Sequence, residues 1–150
     1  MYLLEAEKIS KTFPENMVKA NSDVDFSLIE GETHSILGEN GSGKSTLMHI
    51  LTGLIRPDSG RILYKGKETE LKTPEDALKR KIGMVHQSPG IITGFTIFEN
   101  IIAGCGFIKG FKTDLSGYRK QIEEVKEKYS ISINIDSRPE TPEQKQYTIL

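Results

Sequence analysis

The sequence predicts an α/β fold in which a strand feeds a glycine-rich loop and the loop opens a helix. Three observations predict it. Thr33-His34-Ser35-Ile36-Leu37 has the length and composition of a short strand. Gly38-Glu39-Asn40-Gly41-Ser42-Gly43-Lys44-Ser45 follows it directly and fits G-x-x-x-x-G-K-[ST]. From Lys44 onward, Leu47, Ile50, Leu51 and Leu54 recur at helical spacing, and Gly53 stands where helices often stop.

The remaining elements follow in chain order. Val24-Asp25-Phe26-Ser27-Leu28 alternates apolar and polar residues, the period of a half-buried strand, and Glu30-Gly31-Glu32 is a turn. Arg56-Pro57-Asp58-Ser59-Gly60 is a dense turn signal, and an extended stretch Arg61–Tyr64 ends at Lys65-Gly66. Thr73-Pro74-Glu75-Asp76 combines an N-cap residue, proline at the first helical position and acids in the first turn, so a short helix begins there. Ile82–Gln87 reads as an apolar strand. Thr96-Ile97-Phe98-Glu99 is a capping-box pattern that predicts a helix through Ala103. The clearest helix runs from about Asp114 to Lys128. Leu115, Tyr118, Ile122, Val125 and Tyr129 share one face, read as core, while Lys120/Glu124 and Glu124/Lys128 pair at i,i+4 on another. Ser137–Gln146 carries Pro139 and Pro142 and reads as loop. Tyr147-Thr148-Ile149-Leu150 resembles the opening of a further element, a hint of truncation.

Composition narrows the function classes. The 150 residues suit one domain, and 36% hydrophobic with 27% charged residues describes an ordinary globular chain. Twenty Lys+Arg against 21 Asp+Glu leave a net charge of −1, which argues against nucleic acid as the main partner. The single cysteine, Cys105, cannot form an internal disulfide and suits a reducing compartment; it reads as passive rather than as a reactive thiol. Acidic residues interrupt the apolar start, so no signal peptide is expected. Gly90–Phe111 contains Glu99, Asn100 and Lys109 and falls short of the roughly 20 apolar residues of a membrane span. His34, His49 and His86 lack ligand spacing, so the only metal expected is one carried by a nucleotide.

The glycine-rich loop carries the chemistry. Its glycines let the backbone turn with N–H groups pointing inward as an anion nest, and the new helix adds the positive end of its dipole. Lys44 is expected to reach the β- and γ-phosphates of a nucleotide, Ser45 to ligate Mg²⁺ through its hydroxyl, and Thr46 to donate to a neighbouring phosphate. A chance match to the motif occurs in roughly one random chain of this length in a few hundred, before the flanking strand and helix are required.

Further along, Gly38–Thr46 resembles the GxNGxGKST loop of ABC ATPases, placing Asn40, Gly41, Ser42 and Gly43 in the phosphate cradle. Asp58-Ser59-Gly60-Arg61-Ile62, Met84-Val85-His86-Gln87 and Thr96-Ile97-Phe98-Glu99-Asn100-Ile101 resemble later stretches of that family, in its order, from Ile9 to about Gly104. The Val-His-Gln and Gly-Glu-Thr-His wording is most similar to importers of sugars or nucleosides. The resemblance implies a P-loop NTPase fold with an antiparallel β portion, a RecA-like core strand and a helical subdomain: residues 1–90 as β portion and P-loop core, residues 91–150 as helical subdomain, ending near the signature loop. It implies that Phe13 stacks on adenine, against the alternative of a core residue, and that Val18 packs on the same base. Gln87 matches the glutamine that reaches Mg²⁺ and the attacking water. The implied cofactors are ATP and Mg²⁺. The implied partners are a transmembrane permease subunit, a second cassette and, indirectly, a periplasmic or lipoprotein solute-binding protein, with the chain on the cytoplasmic face of the membrane. Gly90–Phe111 would then be apolar to dock the permease, although core packing explains it as well.

Other parts of the family pattern are missing. Ile131–Asp136 alternates and is followed by Ser137, so it is rejected as the catalytic strand. Glu140–Gln146 resembles only part of the signature loop; Thr141 could replace its serine, but Pro142 has no N–H to offer. The expected parent is an ATP-hydrolysing import subunit. A chain of these residues alone is expected to bind nucleotide weakly without hydrolysing it. The alternatives are a non-transport ABC ATPase and a non-catalytic interaction module.

Overall fold

The computed structural model describes residues 1–86, 90–104 and 114–139. The first of two units, Met1–Val85, is built on a four-stranded antiparallel sheet in the order β2-β1-β3-β4. β1 (Tyr2–Phe13) and β2 (Val18–Ile29) form a long hairpin, β3 (Ser59–Tyr64) pairs on the other side of β1, and β4 (Lys67–Thr69) returns from β3. Lys65 and Gly66, at φ 52° and 73°, make the two-residue turn between the last two strands.

β1 is the central strand, yet the sequence reading has no element there. Its buried residues are Leu4, Ala6 and then Ile9, so the alternation changes parity midway. The cause is a bulge at Lys8, which sits at φ 53° between the pairs Ala6↔Phe26 and Ile9↔Val24. The bulge's backbone N–H is not orphaned: Lys8 N donates to Asp25 Oδ1 at 2.8 Å, and Lys8 Nζ to Oδ2 at 2.9 Å. A second irregularity follows on β2 at Asp23 (φ 48°), whose N–H donates to Ser10 Oγ at 3.0 Å.

Against this sheet packs α1 (Lys44–Leu51), burying Leu47, Ile50 and Leu51 with Leu4, Ala6, Ile9, Ile62, Leu71 and Ala77. Gly53 ends the helix as its position suggests. At φ 72° its N–H donates to Ile50 O and that of Leu54 to His49 O, the paired bonds of a Schellman cap. A Cβ on Gly53 would lie 2.4 Å from the Thr73 carbonyl oxygen. Leu54 therefore falls beyond the helix rather than on its apolar face, and it is 46% exposed. α2 (Pro74–Lys79) begins where the cap signal put it, with Thr73 and Asp76 forming a reciprocal capping box.

Two expected strands do not form. Residues 33–37 and 82–86 lie outside any β-ladder, and Leu37 and Val85 are 91% and 95% exposed. A strand exists only where its N–H and C=O groups meet those of a neighbour. Among the described residues the four antiparallel strands supply no such neighbour to either segment. The antiparallel β portion is thus present, and the core strand ahead of the glycine loop is not.

The second unit begins at His86. α3 (Ile97–Gly104) starts at the capping box: Thr96 N donates to Glu99 Oε2 at 2.7 Å and Glu99 N to Thr96 Oγ1 at 3.2 Å. Its first N–H groups are satisfied by a distant turn, Ile97 N by Ser137 O and Phe98 N by Ile135 O. Phe98, Ile102 and Ile135 form a small core, with Tyr118 and Ile122 against it. α4 (Leu115–Tyr129) is capped by Asp114, whose carboxylate accepts from Gly117 N at 3.0 Å. The expectation that its apolar face is core holds only in part, since no α4 residue is fully buried and Leu115, Val125 and Tyr129 are exposed. The Lys120–Glu124 pair is present at 3.9 Å. Residues 131–134 form no strand. Among the described residues no helix is long and apolar enough to cross a membrane.

Candidate phosphate-binding site

The predicted phosphate residues come together in one loop of the first unit. Ser42 N donates to Glu39 O at 3.2 Å, closing a turn over Asn40 and Gly41, with Gly41 at φ 82°. Gly43, at φ 86°, is the N-cap of α1, and its carbonyl accepts the first helical bond from Leu47 N at 2.9 Å. A glycine cap supplies no side-chain acceptor, and the first turn holds no acid. The helix start therefore keeps its N–H groups and its positive dipole end for an outside anion.

Lys44 folds back over this loop. Its Nζ donates to Gly38 O at 2.7 Å, to Glu39 O at 2.6 Å and to Ser42 Oγ at 3.2 Å. The three bonds place one positive charge over the concave side of the loop. Gly38 closes it: a Cβ there would lie 2.8 Å from Ser42 Oγ and 3.6 Å from Lys44 Nζ. Ser45 is exposed and Thr46 half-buried, both in the first turn of α1. Backbone amides at an uncapped helix start, an ammonium group and the Ser42, Ser45 and Thr46 hydroxyls, gathered in one glycine-rich loop, are a donor set suited to a phosphate ester. Such a set fits the triphosphate of a nucleotide. For Mg²⁺, the described residues offer the Ser45 hydroxyl. Gln87, the other expected ligand, lies outside the described residues, as do Cys105 and Glu140–Gln146. Among the described residues no cluster of His, Cys, Asp or Glu could hold a metal ion.

Phe13 and Val18 face each other as the last pair of the β1–β2 hairpin. Phe13 is half-buried and Val18 is 48% exposed, so the hairpin end offers a ring and a branched side chain partly open to solvent. The end of β1 that carries Phe13 is anchored by Asp58, whose carboxylate accepts from Lys11 Nζ and from Thr12 N, each at 2.7 Å. Those two bonds hold the Asp58 carboxyl below its ordinary value, the Lys11 bond contributing most.

One residue escaped the sequence reading. Asn21 on β2 is 5% exposed, the one buried polar residue among those described, and its Nδ2 donates to Gly43 O at 3.3 Å. Extending the inward alternation of Val24, Phe26 and Leu28 backwards points position 21 to solvent. The bulge at Asp23 reverses that parity, and nothing in the sequence announces a bulge at an aspartate.

The site is of the P-loop nucleotide-binding class: a glycine loop, its lysine and a helix start behind it. The sequence profile of the ABC transporter family matches residues 21–147, and the chain belongs to that family. It is 45% identical over 118 residues to the nucleoside import ATP-binding protein NupA of Lactococcus lactis subsp. cremoris, a match covering 79% of this chain and 23% of that protein. It is 35% identical over 137 residues to the guanosine import ATP-binding protein NupO of Bacillus subtilis, covering 91% and 26%. The chain thus spans about a quarter of the length of these relatives. Among solved structures, a nucleotide-free ATP-binding cassette from an ABC transporter superposes with a TM-score of 0.71 at 29% identity, covering 92% of this chain and 58% of that one. A dimeric bacterial ABC transporter cassette superposes with a TM-score of 0.71 at 26% identity, covering 95% and 65%.

Proposed function

We propose that the chain is the nucleotide-binding front of an ABC import subunit, holding Mg-ATP at Gly38–Thr46 while the parent protein couples hydrolysis to uptake of a sugar or nucleoside. The observation that carries the reading is the loop itself: an uncapped helix start, a lysine held over the loop by three bonds, and a Gly43 whose added Cβ would meet the Ala20 carbonyl oxygen at 2.1 Å. Phosphoryl transfer asks chiefly for positioning and charge stabilisation, and these are what the loop supplies. Within this proposal Lys44 neutralises the β- and γ-phosphates, Ser45 ligates Mg²⁺, Thr46 donates to a phosphate, Phe13 stacks on adenine beside Val18, and Gln87 completes the Mg²⁺ and water contacts. The solute class follows that of the relatives, ATP-binding proteins of nucleoside and guanosine import and of putative carbohydrate transport. A permease subunit and a second cassette are the proposed partners, at the cytoplasmic face of a membrane.

The test is a calorimetric titration of the chain with Mg-ATP beside Lys44→Ala. Saturable binding is expected, weakened between about 10- and 150-fold in the variant, the effect of losing a charged hydrogen-bond donor. No steady hydrolysis is expected, because none of the described residues is placed as a general base. Sustained turnover that Lys44→Ala abolishes would sink that part of the proposal. One observation favours a second reading, a module that no longer binds nucleotide productively: residues 33–37 lie outside any ladder, with Leu37 exposed, so no sheet holds the arm before the loop. Under that reading neither protein gives heat.

A further inference from the structure

We propose that Asn21 is a positioning residue for the phosphate loop, holding through its carboxamide the carbonyl from which α1 starts. The proposal rests on the nucleotide-binding reading above and extends it to a residue outside the glycine loop.

The geometry is specific. Gly43 O is the first acceptor of α1, bonded to Leu47 N at 2.9 Å, and Asn21 Nδ2 reaches the same oxygen at 3.3 Å. The amide orientation is decided by chemistry, because a carbonyl oxygen can only accept and so must face the NH₂ group. Beside it, β2 presses on the loop directly: a Cβ on Gly43 would lie 2.1 Å from Ala20 O and 2.9 Å from Asn21 Nδ2. Ala20 and Asn21 therefore form a wall that leaves Gly43 one permitted position, at φ 86°. The residues that follow Gly43 without a break are Lys44, Ser45 and Thr46, whose N–H groups form the uncapped helix start. Any shift of Gly43 O moves those donors with it.

An asparagine here carries a cost. Its Oδ1 is buried with no hydrogen-bond partner, and a buried unmet acceptor destabilises the fold. A leucine at the same place would carry no such unmet acceptor. A half-satisfied amide whose one bond goes to the carbonyl that starts the phosphate helix is what a positioning role predicts.

The test compares the wild-type chain with Asn21→Leu, which conserves volume but cannot donate, and with Ile62→Val, a core change on β3 away from the loop. Two quantities are read: Mg-ATP affinity by calorimetry, and amide hydrogen exchange residue by residue. Asn21→Leu is expected to weaken Mg-ATP binding about fivefold or more, as loss of a buried bond does, and to speed exchange at Lys44–Leu47 while leaving the β1–β3 ladder unchanged. Ile62→Val is expected to lower the melting temperature yet keep affinity within about twofold. If Asn21→Leu does not fold, Asn21→Ser, too short to reach Gly43 O, gives the same two readouts. Wild-type affinity and exchange in the Asn21 variants would overturn the proposal, as would an affinity loss no larger than Ile62→Val shows at equal destabilisation. Absence of Mg-ATP binding by the wild type would instead overturn the nucleotide-binding reading, and the exchange comparison would still decide the role of Asn21.

Discussion

The two units bury their apolar residues to different degrees. In the first, nine residues from the sheet, α1 and the segments around α2 form one core, with Ile9 and Ile50 wholly inside. In the second, the corresponding cluster among the described residues is Phe98, Ile102 and Ile135, and α4 contributes no fully buried residue. Its apolar stripe instead borders an open groove of about 370 Å³ lined by Ile97, Ile101, Ile122, Val125, Ile131 and Ile133. The difference lies in architecture rather than composition. A sheet with strands on both sides of β1 presents a broad face that a single helix can cover, whereas two helices and a turn can close over only part of each other's apolar surface. The phosphate loop is attached to the better-packed unit. That is where a site needing sub-ångström placement of backbone donors belongs.

Truncations of comparable core residues break or sharpen this contrast most strongly. Ile50→Ala should cost about 2–5 kcal/mol, because α1 loses its fully buried anchor and the closed core relaxes only partly. Phe98→Ala, in the smaller cluster and partly covered by the Arg119 guanidinium 4.4 Å above its ring, should fall at the lower end of the range for a buried phenylalanine, about 3 kcal/mol. Denaturant titrations give both values, and equal losses would remove the contrast. A smaller effect, about 1 kcal/mol, is expected from Thr96→Ala, which deletes the capping box that starts α3. Thr73→Ala at α2 is the matched change in the other unit, and the two should agree if local capping ignores the surrounding core.

The smallest effect is on acid stability. Hydrogen bonds from Lys11 and the Thr12 backbone hold Asp58 below its ordinary value, and the Arg119 guanidinium does the same to Asp136. For a depressed carboxyl the unfolded chain takes up its proton first as pH falls. Each contribution is therefore complete above the unfolded value near 3.8 and disappears as pH drops through the lower folded value. Asp58→Asn should flatten the acid limb of the stability curve, and a limb unchanged by this variant and by Asp136→Asn would count against both pairs.

Much of this was legible in the residues, for reasons that differ by element. Helix ends were read well because a cap is a local event: Thr73-Pro74, Thr96–Glu99 and Gly53 carry their signals within a few positions. The glycine loop was legible because its chemistry is written in consecutive residues. Strands were read poorly, because a strand is a relation between distant segments. β1 was missed when the Lys8 bulge reversed its parity, and Asn21 was missed when the Asp23 bulge did the same to β2. Residues 33–37 and 82–86 have strand-like composition and still lie outside the sheet, for want of a neighbour among the described residues.

The sequence by itself therefore determined the family, the glycine-rich loop that opens α1 with Lys44 and Ser45, and the starts of α2, α3 and α4. Each depends on side chains and backbone within one or two turns of chain. Only the tertiary structure decided that Ala20 and Asn21 wall the last glycine of that loop, that Asp58 anchors the strand carrying Phe13, and that residues 33–37 find no strand partner among the described residues. These depend on which residues, far apart in sequence, are brought within hydrogen-bonding distance, and a reversed strand parity is enough to change the answer.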